Sequence, residues 1–192
     1  GVVSGLNLRG CTKEAFLEAA SIFGKDVIYE IDAHCRQPAM VDAGCGEALL
    51  KDTARLCEIV SALAEAGYTV SVKIRAGITD DKALAKSLWK AGAKILHVDL
   101  MDFGASKLRQ IRNSCPLVII ANNGVDSPDS MMEYFSHGAD LVSLARRAEP
   151  AVLTLLDRYI RAIADEVGWY NAPKQLCRGG DYRSLAFCCM PI

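Results

Sequence analysis

The sequence predicts an α/β fold, namely a parallel (β/α) barrel of the TIM type that is incomplete, and three observations lead to it. Six apolar strands alternate strictly with amphipathic helices, which is the pattern of a parallel sheet. Polar residues follow the carboxyl ends of all six strands, whereas an open doubly wound sheet concentrates its site at one switch point. No G-x-G-x-x-G motif follows the first strand, which counts against a dinucleotide-binding sheet.

The elements follow in order along the chain. The predicted strands are apolar, often β-branched runs at 2–8, 27–31, 69–74, 95–99, 117–121 and 141–145. The predicted helices lie at 13–23, 53–66, 80–91, 105–113, from 128 onward and at 150–166. Thr12 is a suitable N-cap, Gly24 a suitable helix stop and Pro128 a suitable first helical residue. The loop of about fifteen residues after the second strand is longer than most connections.

Six strand–helix units are fewer than the eight of a complete barrel. We therefore expect about two units to be missing, and a second copy of this chain or a partner chain to complete the barrel. Residues 1–167 are predicted to form the barrel portion. Residues 168–192 have no clear periodicity and are predicted to form a separate Cys-rich C-terminal segment.

The composition is that of an ordinary globular protein, with 51% hydrophobic and 23% charged residues. The net charge of −1 provides no overall basic field that would attract nucleic acid. No apolar run approaches the roughly 20 residues that span a bilayer, and no basic–apolar leader opens the sequence. We expect a cytoplasmic protein without membrane association, whose eight cysteines are reduced.

The loops after the last two strands carry the pattern of a phosphate site. They read ANNG (121–124) and LARRA (144–148), and barrels frequently bind phosphate with the loops after strands seven and eight. Asn122, Asn123 and Gly124 allow a tight turn with exposed backbone N–H groups, and Arg146 can clamp phosphate oxygens. The competing interpretation is a solvated helix start with two surface arginines.

Two further places in the sequence are candidates for chemistry. Lys73 lies within a β-branched strand, where it either points into the pocket and stabilises an anion or reaches solvent along its stem. Cys35 lies in the long polar loop after the second strand, beside His34 and Arg36, and is a candidate nucleophile or proton donor. The competing interpretation of this loop is ordinary polar residues with buried thiols.

The order of several short blocks resembles the dihydrouridine synthases. The blocks are NLRG (7–10), EIDAHCRQP (30–38), VKIRAG (72–77), IIANNGV (119–125) and SLARRA (143–148). In that family the corresponding blocks are Q-L-x-G, D-I-N-x-G-C-P, V-K-x-R, P-V-I-A-N-G-D-I and M-I-G-R-G-A. The resemblance covers about residues 3 to 150 and implies that the six units correspond to barrel strands three to eight.

The resemblance implies a flavin mononucleotide (FMN) barrel that reduces uridine in transfer RNA, with flavin and tRNA as partners. Cys35 matches the cysteine that protonates the pyrimidine ring. The cofactor-binding positions carried over or predicted at the strand ends are Asn7, Lys73, Asn122, Asn123, Gly124, Ala145 and Arg146. Asn7 matches a glutamine beside the flavin, and Lys73 matches the lysine at the flavin ring.

This sequence departs from the family's pattern around the predicted site. Asp32, His34 and Arg36 replace the asparagine, glycine and proline of the D-I-N-x-G-C-P block. Asp99 replaces the histidine that contacts the flavin, and His97 lies two positions too early to match it. We expect His97 to be a packed strand residue with satisfied hydrogen bonds and not a ligand.

The C-terminal segment resembles a cysteine-bearing domain of the methanogenesis-marker type. Cys177, Cys188 and Cys189 are candidate ligands of an iron–sulfur cluster or zinc, because thiolates suit both centres. The competing interpretation is a terminal segment that packs on the barrel without binding a metal. The alternative to an oxidoreductase is therefore a non-catalytic flavin- or phosphate-binding scaffold in a methanogen cofactor or enzyme-assembly pathway.

Overall fold

The computed structural model describes residues 3–166 and contains one parallel six-stranded sheet. The strands are β1 Gly5–Leu8, β2 Ile28–Ala33, β3 Thr69–Arg75, β4 Ile95–Asp99, β5 Val118–Asn122 and β6 Leu141–Ser143. They pair in the order β1-β2-β3-β4-β5-β6, so each strand lies beside its neighbour in sequence. A doubly wound sheet would reverse its strand order at a switch point. The sheet instead curls as part of a barrel, and the predicted incomplete TIM-type fold is confirmed.

Helices connect the strands and cover the outside of the sheet. They are α1 Lys13–Phe23, α2 Pro38–Asp42, α3 Ala48–Lys51, α4 Thr53–Glu65, α5 Asp81–Lys90, α6 Ser106–Arg112, α7 Pro128–Ser136 and α8 Pro150–Glu166. The predicted N-cap is present, since the Thr12 hydroxyl accepts a hydrogen bond from the Ala15 N–H at 3.3 Å. The long loop after β2 differs from the prediction, because it contains the short helices α2 and α3.

The hydrophobic core lies between the sheet and the helices. Sheet residues buried in this layer include Tyr29, Ile31, Val70, Val72, Ile74, Leu96, Val98, Ile119 and Ala121. The helices contribute Leu56, Ile59, Leu63, Leu84, Leu88, Leu108 and Ile111. The sheet residues alternate along each strand, as expected when side chains point to opposite faces in turn. One face of every central strand is therefore committed to helix packing.

The opposite face of the sheet, which faces the inside of the curl, is polar toward the carboxyl ends of the strands. Strand register places Asp32 beside Lys73 and Lys73 beside His97, and it places Arg75 beside Asp99 and Asp99 beside Asn122. Residues paired laterally point to the same face, so these side chains form two rows across the sheet. The helix-facing side of the strands is thus apolar throughout, whereas the inner side is apolar at Ile95 and Val118 and carries its charged side chains toward the carboxyl ends.

Two further predictions concern the domain division and membrane association. The predicted boundary between 1–167 and 168–192 and the whole C-terminal segment lie outside the described residues, so this division stays a prediction. Within residues 3–166, no helix combines the length and the apolar character that crossing a membrane requires.

Candidate functional site

A cavity of about 900 Å³ opens at the carboxyl ends of β3 to β6. Its charged walls are formed by Arg36, Lys73, Arg75, Arg146 and Arg147 on the basic side and by Asp99 and Glu149 on the acidic side. This surplus of cationic side chains makes the cavity electropositive. Its volume falls in the range of about 300–1,000 Å³ that is typical of small-molecule sites.

The loop after β5 is held from both sides. The Asn123 side chain donates a hydrogen bond to the Met101 carbonyl at 3.1 Å, and the Tyr134 hydroxyl donates to the Asn123 carbonyl at 2.6 Å. Asn123 and Gly124 have φ angles of 89° and 78°, a conformation that Gly and Asn tolerate best. Within residues 3–166, the N–H groups of Gly124 and Val125 form no hydrogen bond, so they are available to an anion in the cavity.

The loop after β6 closes the same end of the cavity. The Arg147 guanidinium forms a 2.8 Å ion pair with Asp126, which joins this loop to the one after β5. Arg146 and Ala145 line the cavity, and Arg146 is exposed without an ion pair to any residue of the described chain. A planar guanidinium in this position can bind phosphate oxygens bidentately. The residues predicted to bind phosphate therefore line one end of the same cavity, and their binding of phosphate stays a prediction.

Lys73 also lines the cavity, whereas Asn7 does not. Lys73 is half-buried, and within residues 3–166 its ammonium has no hydrogen bond or ion pair. Asn7 lies on β1 and donates a 2.9 Å hydrogen bond to Glu30. Six of the seven predicted cofactor-binding residues thus surround one cavity, namely Lys73, Asn122, Asn123, Gly124, Ala145 and Arg146.

Asp32 fixes the start of the loop that carries Cys35. One of its carboxylate oxygens accepts hydrogen bonds from the backbone N–H groups of His34 and Cys35, both at 3.0 Å. The other oxygen accepts a hydrogen bond from Arg9 at 3.0 Å. This bond is the main cause that raises the pKa of Arg9, and the electrostatic interaction with Cys35 is the second. Cys35 itself is 7% exposed. Its neighbours His34 and Arg36, and not Cys35, form the cavity wall.

A histidine–carboxylate pair crosses the upper end of the site. His34 Nε2 lies 2.7 Å from Asp99 Oδ2, and the Arg75 guanidinium lies 4.0 Å from the same oxygen. Burial alone would raise the pKa of Asp99. The hydrogen bonds from His34 and the Met101 backbone and the charges of His34 and Arg75 outweigh it, so this pKa is lowered. Asp99 is therefore an ionised group that orients the His34 imidazole at the cavity.

A second polar cluster lies deeper inside the curl. The Glu30 carboxylate accepts hydrogen bonds from Asn7 and Ser71 and lies 2.9 Å from His97 Nδ1. Burial opposes ionisation of Glu30, but these bonds, chiefly the one to His97, lower its pKa to about 2. His97 is packed in its strand, as predicted, but only its Nδ1 atom has a partner, because its Nε2 atom is buried without a hydrogen bond in the described chain.

Sequence reasoning missed Glu30 and Arg75 as parts of this network. Glu30 shares a face with Asp32 because the two are two residues apart on one strand, and this signal was available in the sequence. Arg75 likewise alternates with Lys73. Its pairing with Glu47, at 3.1 Å, depends on how the loop after β2 folds back and has no local signal.

The predicted metal ligands Cys177, Cys188 and Cys189 lie outside the described residues. Within residues 3–166, no group of three or more His, Cys, Asp or Glu side chains is arranged to hold a metal ion. The iron–sulfur or zinc site is therefore supported only by the cysteine pattern.

Two solved structures share this fold. DHODH from Eimeria tenella, in complex with ferulenol, matches with a TM-score of 0.64 and 13% identity. The match covers 83% of this chain and 56% of the DHODH chain. Tryptophan synthase from M. tuberculosis has a TM-score of 0.57 and 18% identity, over 81% of this chain and 68% of that chain. At these identities the likeness establishes the fold alone.

Curated relatives align with most of this chain. The tRNA-dihydrouridine synthase B of Pseudomonas aeruginosa is 28% identical over 150 residues, which are 70% of this chain and 45% of the relative. An uncharacterised protein of Methanocaldococcus jannaschii is 29% identical over 142 residues, which are 69% of this chain and 54% of the relative. The chain thus spans about half the length of these relatives.

A family model described as dihydrouridine synthase matches residues 4–162. The match includes all six strands and every described residue that lines the cavity. This chain belongs to the dihydrouridine synthase family.

Proposed function

We propose that the protein is an FMN-dependent oxidoreductase that reduces the C=C bond of a uracil ring in transfer RNA. The observation that carries the proposal is the electropositive cavity, where six residues predicted to bind the cofactor lie together. The donors of this cavity suit FMN, since guanidinium and backbone N–H groups match a phosphate, and an ammonium matches an anionic ring. Family membership supports the same reaction class.

The phosphate of FMN would be held by the Gly124 and Val125 N–H groups and by Arg146, and Lys73 would face the isoalloxazine ring. When bound, FMN would supply the hydride for the reduction. The loop anchored by Asp32 and the His34–Asp99 pair would exclude water from one side of the ring. Since the chain spans about half of its relatives, we propose that two further βα units complete the wall, either in the same protein or from a partner chain.

Reduction of the ring also needs a proton, because one carbon receives hydride and the adjacent carbon receives H⁺. Cys35 is the proposed donor, through its Sγ atom, as the family resemblance implies. Its burial means that the loop must turn for the thiol to reach a substrate. His34 is the second candidate, because it lines the cavity and is oriented by Asp99.

An FMN titration tests the cofactor proposal. Wild-type protein should bind FMN with quenching of flavin fluorescence, and Arg146→Ala should weaken binding by about tenfold or more, as expected for a lost charge-assisted hydrogen bond. Arg158→Ala is the matched control, because Arg158 is an exposed arginine on α8 and does not line the cavity. Equal affinities of both variants, or no uptake of FMN by full-length protein, would refute the proposed cofactor site.

The burial of Cys35 favours a competing function, a non-catalytic flavin-binding scaffold. Dihydrouridine in tRNA from a deletion strain separates the two functions, because a scaffold leaves its level unchanged. Complementation then identifies the donor. If the Cys35 thiol donates the proton, Cys35→Ala should abolish dihydrouridine formation. If the His34 imidazole donates it, His34→Gln should abolish dihydrouridine formation and Cys35→Ala should remain active.

A further inference from the structure

Two cysteine thiols meet where the loops after β1 and β2 lie side by side. Cys11 follows the end of β1 closely, and Cys45 lies in the turn between α2 and α3. Parallel pairing of β1 with β2 brings the carboxyl ends of these strands together. Arg9 then joins the two loops, since its guanidinium bonds to Asp32 at 3.0 Å and to Gln37 at 3.5 Å. The two loops are therefore held together by contacts that involve neither thiol.

The two thiols interact directly in this arrangement. Burial, first of all, and then the hydrogen bond with Cys11 raise the pKa of the Cys45 thiol, whereas the charge of Arg55 acts in the opposite direction. Cys45 Sγ also has a long contact of 3.8 Å with the Ala43 carbonyl. Cys45 is buried and Cys11 is partly exposed, and both are free thiols. One thiol of the pair is thus open to a dissolved reagent, and the other is its buried neighbour.

The turn that carries Cys45 also covers Cys35. Gly46 packs so closely on Cys35 that a Cβ atom there would lie 2.4 Å from the Cys35 carbonyl oxygen and 3.1 Å from the Cys35 Cβ atom. The Glu47 N–H donates a 2.9 Å hydrogen bond to the same carbonyl. Because Cys35 is buried, this turn must move before the Cys35 thiol can react with a solute. A covalent bond that holds Cys45 in place would therefore keep Cys35 covered.

Hydrogen peroxide provides a balanced route to a bond between the two thiols. The Cys11 sulfur attacks one peroxide oxygen, the O–O bond breaks, and Cys11 becomes a sulfenic acid while the thiol proton and the departing hydroxide form water. The Cys45 sulfur then attacks the sulfenic sulfur, the S–O bond breaks, and the Cys45 proton leaves with this oxygen as a second water. Two thiols are oxidised to a disulfide and one peroxide is reduced. Exposure favours this oxidation, so Cys11 is the first site of attack.

We propose that Cys11 and Cys45 form a reversible disulfide on exposure to hydrogen peroxide, and that this cross-link fixes the turn that covers Cys35. Disulfides of reducing compartments are usually transient and either catalytic or redox-sensing, and a neighbouring pair of free thiols suits such a role. Only the consequence for catalysis rests on the proposed function, because a covered Cys35 does not reach a substrate.

Mass spectrometry of full-length protein treated with a limiting amount of hydrogen peroxide tests the cross-link. After alkylation of the free thiols and proteolysis, wild type should give two peptides joined through Cys11 and Cys45, which dithiothreitol separates again. Cys11→Ser should not give this product. Cys57→Ser is the matched control and should retain it, because Cys57 is a partly exposed cysteine on α4 whose pKa is raised by burial alone. Recovery of Cys11 and Cys45 as free thiols, or joined to other cysteines, would overturn the inference.

The covering of Cys35 has its own measurement. Alkylation of Cys35 by iodoacetamide should be slower by about tenfold or more in oxidised than in reduced wild type, because the cross-link removes open conformations of the loop. The slowing should be absent in Cys11→Ser. An unchanged rate with the cross-link in place would refute the covering role.

FMN uptake is measured on the same samples, so that the two proposals fail separately. Normal FMN binding without a cross-link defeats this inference alone. A protein that forms the cross-link and binds no FMN contradicts the proposed cofactor site and leaves this inference standing.

Discussion

His34 Nε2 lies 2.7 Å from Asp99 Oδ2, so an imidazole that follows β2 is bonded to a carboxylate at the end of β4, across the intervening β3. The His34 bond is the main interaction that lowers the pKa of Asp99 against the effect of burial. In His34→Gln we expect this pKa to rise toward the ordinary carboxyl value. Carboxyl-carbon NMR titration of both proteins measures it, and an unchanged Asp99 midpoint would show that the bond is absent in solution.

The same bond has a consequence for acid stability. A carboxyl whose pKa is lowered in the folded state contributes stability above its unfolded pKa and loses it as the pH falls through the folded pKa. His34→Gln should therefore lose stability relative to wild type near neutral pH, and the difference should disappear in acid. Denaturant unfolding at a series of pH values checks this, and a pH-independent difference would assign the effect to packing.

Lys73 is expected to combine a cost in stability with a gain in binding. A half-buried ammonium without a partner is unfavourable, so Lys73→Gln should leave the stability of the apoprotein equal or higher. The same change should weaken FMN binding by about tenfold. Lys86→Gln, at an exposed position on α5, is the control and should alter neither. A destabilised Lys73→Gln protein would show that this lysine is structural.

Asp140 provides the strongest single test of the fold. It is completely buried, is paired with Arg112 and accepts a hydrogen bond from the Ile119 N–H at 2.7 Å. Asp140→Ala removes the carboxylate that pairs with the largely buried Arg112 guanidinium, which keeps its bonds to backbone carbonyls, and should cost about 3 kcal/mol of unfolding free energy. Asp157→Ala removes the exposed partner of Arg161 on α8 and should cost at most about 0.5 kcal/mol. Comparable losses in urea unfolding would contradict this assignment.

Elements with local causes could be predicted from the sequence. The first helix begins after Thr12 and α5 begins after Asp80, because each cap bonds N–H groups within three residues along the chain. The barrel order of the strands also follows from local evidence, because polar residues follow every strand and not only the two at a switch point. That the loops after β5 and β6 lie at one cavity could be predicted for the same reason, because both loops directly follow their strands.

Contacts across the sheet could not be predicted in this way. Glu30 and His97 are 67 residues apart, and their meeting depends on the register of two strand pairs. The burial of Cys35 likewise depends on the returning loop, where the Glu47 N–H donates to the Cys35 carbonyl at 2.9 Å. A thiol that looks accessible in a polar loop of the sequence is therefore covered by residues that follow it.

Glu30 should make the stability of this protein depend on pH in a defined window. Its folded pKa of about 2, compared with an ordinary 4.5, means that the carboxylate stabilises the fold above about pH 5. This contribution, up to about 3 kcal/mol at 1.36 kcal/mol per pKa unit, is lost progressively as the pH falls from about 5 to about 2. Glu30→Gln should therefore be less stable than wild type at pH 7, and the gap should narrow in acid.

Unfolding free energies of wild type and Glu30→Gln, measured between pH 2 and pH 7, give this gap directly. Glu18→Gln is the control, because Glu18 is exposed on α1 and its substitution should leave no pH-dependent gap. His97→Gln removes the main partner of Glu30. The difference in unfolding free energy between His97→Gln and wild type should therefore also be largest near pH 7 and narrow in acid. A gap for Glu30→Gln that stays constant from pH 7 to pH 2 would mean that Glu30 is not held as a carboxylate by His97.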